Sequence, residues 1–203
     1  MFDFLSTHVK ELLALFAIAL TFIAFFPYIR SIHTGETKPH MFSWILWGTT
    51  TFIVFLAQFA ADGGAGSWPI GVSGLITLYV AGIAFVKKAD VSITKTDWIF
   101  FSIGFLSIPL WFITSDPLWA VVILTFIDLA GFVPTFRKSY AHPHDEHLGF
   151  YIIMVFRNFI SILALEAYNL TTVLFPALVG FAAFIFVLMV IIQRARLGER
   201  LPR

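Results

Sequence analysis

Seven apolar stretches, at about 11–32, 41–61, 68–87, 97–114, 117–138, 148–166 and 171–193, run along the chain between short polar or turn-forming segments. Each is near the ~20 residues that an α-helix needs to cross ~30 Å of hydrocarbon. They are too long and too evenly apolar for the alternating strands of a membrane barrel. Segments such as "ADGGAGSWP", "KKADVSITKTD" and "TSDP" separate them with turn formers and charges. The pattern predicts an all-α, polytopic membrane protein, with 1–203 as a single membrane domain of seven transmembrane helices.

Composition supports this reading: 59% of the 203 residues are hydrophobic and 12% are charged, and the mean hydropathy is +0.90. That is too apolar for a soluble domain with a polar shell. The charges add an orientation. Lys10 is the only Lys or Arg before the first helix, and the loops after helices two, four and six have none. The opposite set of loops and the tail hold Arg30, Lys38, Lys87, Lys88, Lys95, Arg137, Lys138, Arg194, Arg196, Arg200 and Arg203. The positive-inside rule then puts the N-terminus outside and the C-terminus in the cytoplasm, and a plasma (inner) membrane is the expected location. Basic residues used as topology signals leave no reason to expect a nucleic-acid partner. Without cysteine there is no disulfide framework, thiolate nucleophile or Cys-based zinc site. The first ten residues lack the basic start of a cleavable signal, so the first helix is expected to remain.

A shift of 107 residues lays "FFPYIRSI" on "FVPTFRKS". Phe25, Pro27 and Arg30 fall on Phe132, Pro134 and Arg137; His40 falls on His147, and Pro69 on Pro176. Matched prolines, arginines and histidines are the informative part, because apolar matches are cheap in a membrane chain. Helices one to three, 11–88, thus repeat as helices five to seven, 117–195, with 97–114 left as a linker helix. An odd number of helices per unit plus one linker gives both units the same orientation, a parallel repeat.

With this 3+1+3 plan, its N-out orientation and a proline near the cytoplasmic end of helices one and five, the chain resembles the PQ-loop superfamily, which includes the SWEET sugar transporters. The resemblance covers 11–88 and 117–195 and implies transport by two rocking three-helix bundles. It departs at the signature dipeptide, which reads Pro27-Tyr28 and Pro134-Thr135 here. SWEET-type sugar sites use Asn on helices three and seven; helix three offers only Ser73, Thr77 and Tyr79, and helix seven is apolar from Val173 to Ile192. A sugar is therefore disfavoured.

Ionisable residues at mid-depth in a membrane are functional candidates. Asp128 lies about 13 Å along its helix from Arg137, and Arg157 about 15 Å from His147, at ~1.5 Å per residue. Asn158 is adjacent. The 107-residue shift pairs Asp128 with Thr21, Arg157 with Thr50 and Asn158 with Thr51, so both halves place polar groups at one depth. Asp128, Arg157, Asn158, Thr21, Thr50 and Thr51 are the candidate solute-binding residues. Three readings stand open: Arg157 offers its fork to a carboxylate or phosphate with Asp128 as a protonation site, the two charges form a structural ion pair that locks two helices, or one of them faces a water pocket lined by loops.

Pro27 and Pro134 each remove a helix hydrogen bond and permit a bend; they are read as matched hinges, with His40 and His147 as inner-gate groups. Trp44 and Trp47 line an inner vestibule or pack the core. Gln58 and Glu166 are expected to snorkel at the interface. Gly71, Gly74 and Gly82 are expected to permit close helix packing. The "AHPHDEH" stretch (His142, His144, Asp145, Glu146, His147) fits no strict zinc spacing and reads as a solvated loop, so neither a metal nor a cofactor is expected. With no nucleophile elbow or phosphate loop, an enzyme is not expected either. The pattern points to a secondary transporter of a small polar or anionic metabolite, with a proton as candidate coupling ion. An uncoupled SWEET-like facilitator and a seven-helix membrane receptor are the alternatives.

Overall fold

The computed structural model describes residues 2–35, 41–87, 95–141, 143–144 and 148–200. Among them the regular structure is helical: α1 (Phe2–His33), α2 (Met41–Ala60), a short 3-10 turn (Gly64–Ser67), α3 (Trp68–Val86), α4 (Lys95–Thr114), α5 (Leu118–Ala141), α6 (Leu148–Leu163) and α7 (Leu170–Arg200). Each of the seven apolar stretches of the sequence overlaps one α-helix. Among the described residues, four segments are long and apolar enough to cross a membrane: His8–His33, Met41–Ala60, Gly64–Val86 and Leu170–Leu197. The apolar parts of the other three are shorter, at Phe101–Thr114, Leu118–Val133 and Leu148–Leu163.

The boundaries differ from the hydropathy pattern where polar residues continue a helix or a tertiary contact ends one. α1 starts at Phe2 and α7 continues to Arg200, because neither the polar lead-in nor the "QRAR" stretch contains a proline to stop helical hydrogen bonding. α6 stops at Leu163, three residues before the apolar run ends. There the backbone N–H groups of Glu166 and Ala167 leave the helix to bond carbonyls of the α2–α3 loop. Side chains supply caps: Asp116 Oδ1 accepts from the Leu118 N–H at 2.9 Å at the start of α5. At the start of α7, Asn169 Oδ1 accepts from Thr172 N–H, while Thr172 Oγ1 accepts from Asn169 N–H, both at 3.1 Å. Reciprocal capping of this kind satisfies two otherwise orphaned donors.

The surface is apolar, and a largely apolar interior also holds a set of buried polar groups. Leu12, Phe16, Phe22 and Phe26 on α1, Phe85 on α3, Phe112 on α4 and Phe126 on α5 are all exposed, while Thr21, Thr50, Ser73, Thr77, Thr125, Arg157, Asn158 and Ser161 are buried. An apolar exterior of this extent suits hydrocarbon and not water. The buried hydroxyls mostly bond their own helix: Thr21 to Ala17 O at 2.9 Å, Thr77 to Ser73 O at 2.8 Å, Ser161 to Arg157 O at 2.8 Å.

α3 packs on both α1 and α2, and α7 packs on both α5 and α6. Across the molecule α1 meets α6 and α2 meets α5, with α4 against α5 and α2. The α2–α3 pair is drawn close by Gly48, which lies against Leu78, and by Gly74, which lies against the Phe52 backbone. Gly82, expected to serve such packing, is instead exposed with nothing near it.

Candidate functional site

A buried polar cluster is built around Arg157 on α6, which is 1% exposed. α6 is the most amphipathic helix of the bundle, and Arg157, Asn158 and Ser161 form its buried polar side. The guanidinium reaches three elements. Its Nε donates to Thr21 Oγ1 on α1 at 3.3 Å, its Nη1 to Asn158 Oδ1 at 2.9 Å, and its Nη2 to the Pro69 carbonyl in the first turn of α3 at 2.5 Å. Asn158 is fixed in turn, because its Nδ2 donates to Met154 O at 2.8 Å.

The second polar contact joins α2 to α5. Thr50 Oγ1 lies 3.0 Å from Asp128 Oδ1 and also 3.0 Å from the Trp47 carbonyl. A hydroxyl has one proton to donate, so an ionised Asp128 and the Trp47 carbonyl compete for it. A protonated Asp128 removes the conflict by donating to Thr50 Oγ1 while Thr50 donates to Trp47 O.

Five of the six candidate residues read from the sequence therefore fall into two interhelical groups, Thr21–Arg157–Asn158 and Thr50–Asp128. Thr51 is buried on α2 and joins neither. The structural ion pair between Asp128 and Arg157 is not formed: among the described residues the only ion pair is His8–Glu11 at 3.1 Å. The physical reason is geometric, since Arg157 is turned toward α1 and α3 while Asp128 faces α2. His40 and His147, expected as inner-gate groups, lie outside the described residues, as does most of "AHPHDEH". α1 runs unbroken through Pro27, and α5 runs through position 134.

Trp44 and Trp47 are packed. Trp44 stacks on Tyr28 at 4.9 Å between ring centroids and meets Trp47 edge-on at 5.9 Å. Trp47 lies against Gly131, one turn beyond Asp128, where any larger residue would collide with the indole.

At the ends of α2 and α6 the two connecting loops are laced together. Glu166 N–H donates to Gly63 O and Ala167 N–H to Asp62 O, each at 3.1 Å. Glu166 Oε1 accepts from Ala65 N–H, and Asn169 Nδ2 donates to Ala61 O, also at 3.1 Å. Behind this seam Gln58 is fully buried and donates from Nε2 to Thr172 O at 2.7 Å. Snorkelling of Gln58 is thereby overturned: its amide ties α2 to α7 instead of reaching for a headgroup. The exposed Glu166 also has a specific partner.

Sequence reasoning missed the seam and the Pro69 carbonyl. A backbone acceptor leaves no mark in side-chain chemistry, whereas Gln58, an amide inside an apolar run, was a signal that could have been read as an internal tie. Comparison with protein-family models, with curated proteins and with solved structures finds no match.

Proposed function

We propose that the chain is a secondary transporter that moves a small polar or anionic metabolite across a membrane by alternating access. In this reading α1–α3 and α5–α7 are two parallel repeats joined by α4, with the N-terminus outside and the C-terminus in the cytoplasm. The observation that carries it is a pair of hydrogen bonds. Thr21 and Asp128 are 107 residues apart, as are Thr50 and Arg157, so the α6-to-α1 bond from Arg157 to Thr21 and the α2-to-α5 bond from Thr50 to Asp128 exchange under the shift. The helix packing exchanges in the same way: α1 with α6 becomes α5 with α2, and each half has its third helix between the other two.

Two bundles that meet through equivalent polar contacts have a natural surface on which to rock, and repeat interfaces at mid-depth are where transporters of this type hold their solutes. The seam between residues 61–65 and 166–169 closes one end of that surface, so the conformation described is shut on the side assigned to the exterior. The shared proton at Thr50 and Asp128 supplies a coupling site, since adding a proton to Asp128 changes the hydrogen-bond order across the α2–α5 contact.

The test is uptake into proteoliposomes. Radiolabelled carboxylates, phosphate esters, polyols and amines are offered with and without an imposed pH gradient, and counterflow exchange is measured for any solute taken up. Saturable uptake with counterflow is expected for at least one solute class. Saturable binding of a peptide or protein with no flux of any solute would replace the transporter by a membrane receptor.

A further inference from the structure

Arg157 holds a buried positive charge beside the first turn of α3, with no anion next to it among the described residues. Its guanidinium stays charged, it is 1% exposed, and its three acceptors are a hydroxyl, a side-chain amide oxygen and a backbone carbonyl. All three are neutral. Among the described residues the one ion pair is His8–Glu11, and the carboxylate on α5 is engaged by Thr50. A buried charge without a partner is costly, and more so in a membrane, where such groups mark ion and substrate paths.

Hydrogen bonding leaves room for the same group. Each guanidinium nitrogen makes one bond, and a guanidinium has five N–H donors, so the second N–H of Nη1 and of Nη2 has no acceptor among the described residues. The missing complement is therefore both negative and an acceptor. Two oxygens on one centre, as in a carboxylate or phosphate, match the spacing of the fork and accept in parallel.

We propose that the Arg157 cluster, walled by Thr21 of α1, the first turn of α3 and Asn158 of α6, is the binding site for the oxyanion group of a small carboxylate or phosphate solute. The inference rests on the transport reading only in taking that anion to be the transported solute; binding itself needs only the cluster. Thr21 and Asn158 then act as positioning residues, holding Nε and Nη1 so that the remaining donors face the anion.

One substitution separates this role from a structural one. Asn158→Asp keeps the size of the side chain and puts a carboxylate where Oδ1 already accepts from Nη1, so the protein neutralises Arg157 by itself. The experiment is thermal unfolding of the purified full-length protein in lipid nanodiscs, titrated with sodium acetate, with sodium phosphate, and with glycerol as a neutral control, at an ionic strength held constant with sodium chloride. Binding to the native state raises Tm with ligand concentration. The wild type is expected to show a saturable rise with acetate or phosphate and none with glycerol; which of the two acts distinguishes a carboxylate from a phosphate solute. Asn158→Asp, which also gives up the Nδ2 bond to Met154 O, is expected to lose the response whatever its own Tm, and Arg157→Gln to lose it as well.

A wild type that gives no saturable response to either anion overturns the proposal, whatever the variants do. So does an Asn158→Asp protein that responds like wild type. Anion stabilisation without flux in proteoliposomes sinks the transport reading and leaves this site standing; flux of neutral solutes without anion stabilisation does the reverse.

Discussion

The hydroxyl of Thr50 on α2 sits 3.0 Å from Oδ1 of Asp128 on α5, and it is the contact that the 107-residue shift maps onto Thr21 and Arg157 on the other side of the bundle. Thr50→Val keeps the shape and removes the donor. It is expected to lower stability by about 1 kcal/mol, the net worth of one hydrogen bond, seen as a lower Tm in nanodiscs. Gradient-driven uptake is expected to fall more than counterflow, because the variant cannot relay the change in Asp128. Equal loss of both would assign Thr50 to packing alone.

Gly64 adopts a left-handed φ of +57°, with the Glu166 carboxyl group where a side chain would begin. Gly64→Ala is expected to cost about 1–3 kcal/mol from strained backbone, with a further penalty from the collision. A double-mutant cycle with Glu166→Ala isolates the second part: the Gly64→Ala cost is expected to shrink in the Glu166→Ala background. Additive effects would mean that the two loops do not meet there.

The seam also predicts a lock. Ala167 N–H bonds Asp62 O at 3.1 Å, and the chain contains no cysteine, so Asp62→Cys with Ala167→Cys creates the only thiols. Joining them with a short thiol-reactive cross-linker, or by oxidation where the geometry allows, is expected to hold one end of the bundle shut. Uptake should drop to the level of empty liposomes and return when an oxidised pair is reduced. Undiminished uptake by fully cross-linked protein would show that this end does not open.

How far the sequence carried can be judged from particular residues. Helices were legible because unbroken apolar runs have few other folds available to them, and their ends were wrong where polar residues simply continued a helix, as at Asp3 to Lys10 in α1. The two interhelical contacts were half legible: the shift put Thr21 with Asp128 and Thr50 with Arg157 at equal depth, and the bonds run between those sets. What the shift could not give was partner choice. Charge alone suggested that Asp128 and Arg157 meet, yet direction along each helix face turns them to different neighbours. Gln58 was misread because an amide near the end of an apolar run looks like a headgroup ligand until the position of α7 is known. The Pro69 carbonyl and the seam depend on backbone atoms, to which side-chain chemistry is blind.

The central claim, that a bundle with exchanged polar contacts moves a solute and that Asp128 couples the movement to protons, is tested most directly by one comparison. Wild type and Asp128→Asn are reconstituted side by side, and gradient-driven accumulation and counterflow of the same transported solute are measured. The account predicts that Asp128→Asn abolishes accumulation and keeps counterflow, because the amide still accepts from Thr50 but takes up no proton. Wild-type accumulation that ignores the pH gradient, or a variant that accumulates solute as well as wild type, would contradict it.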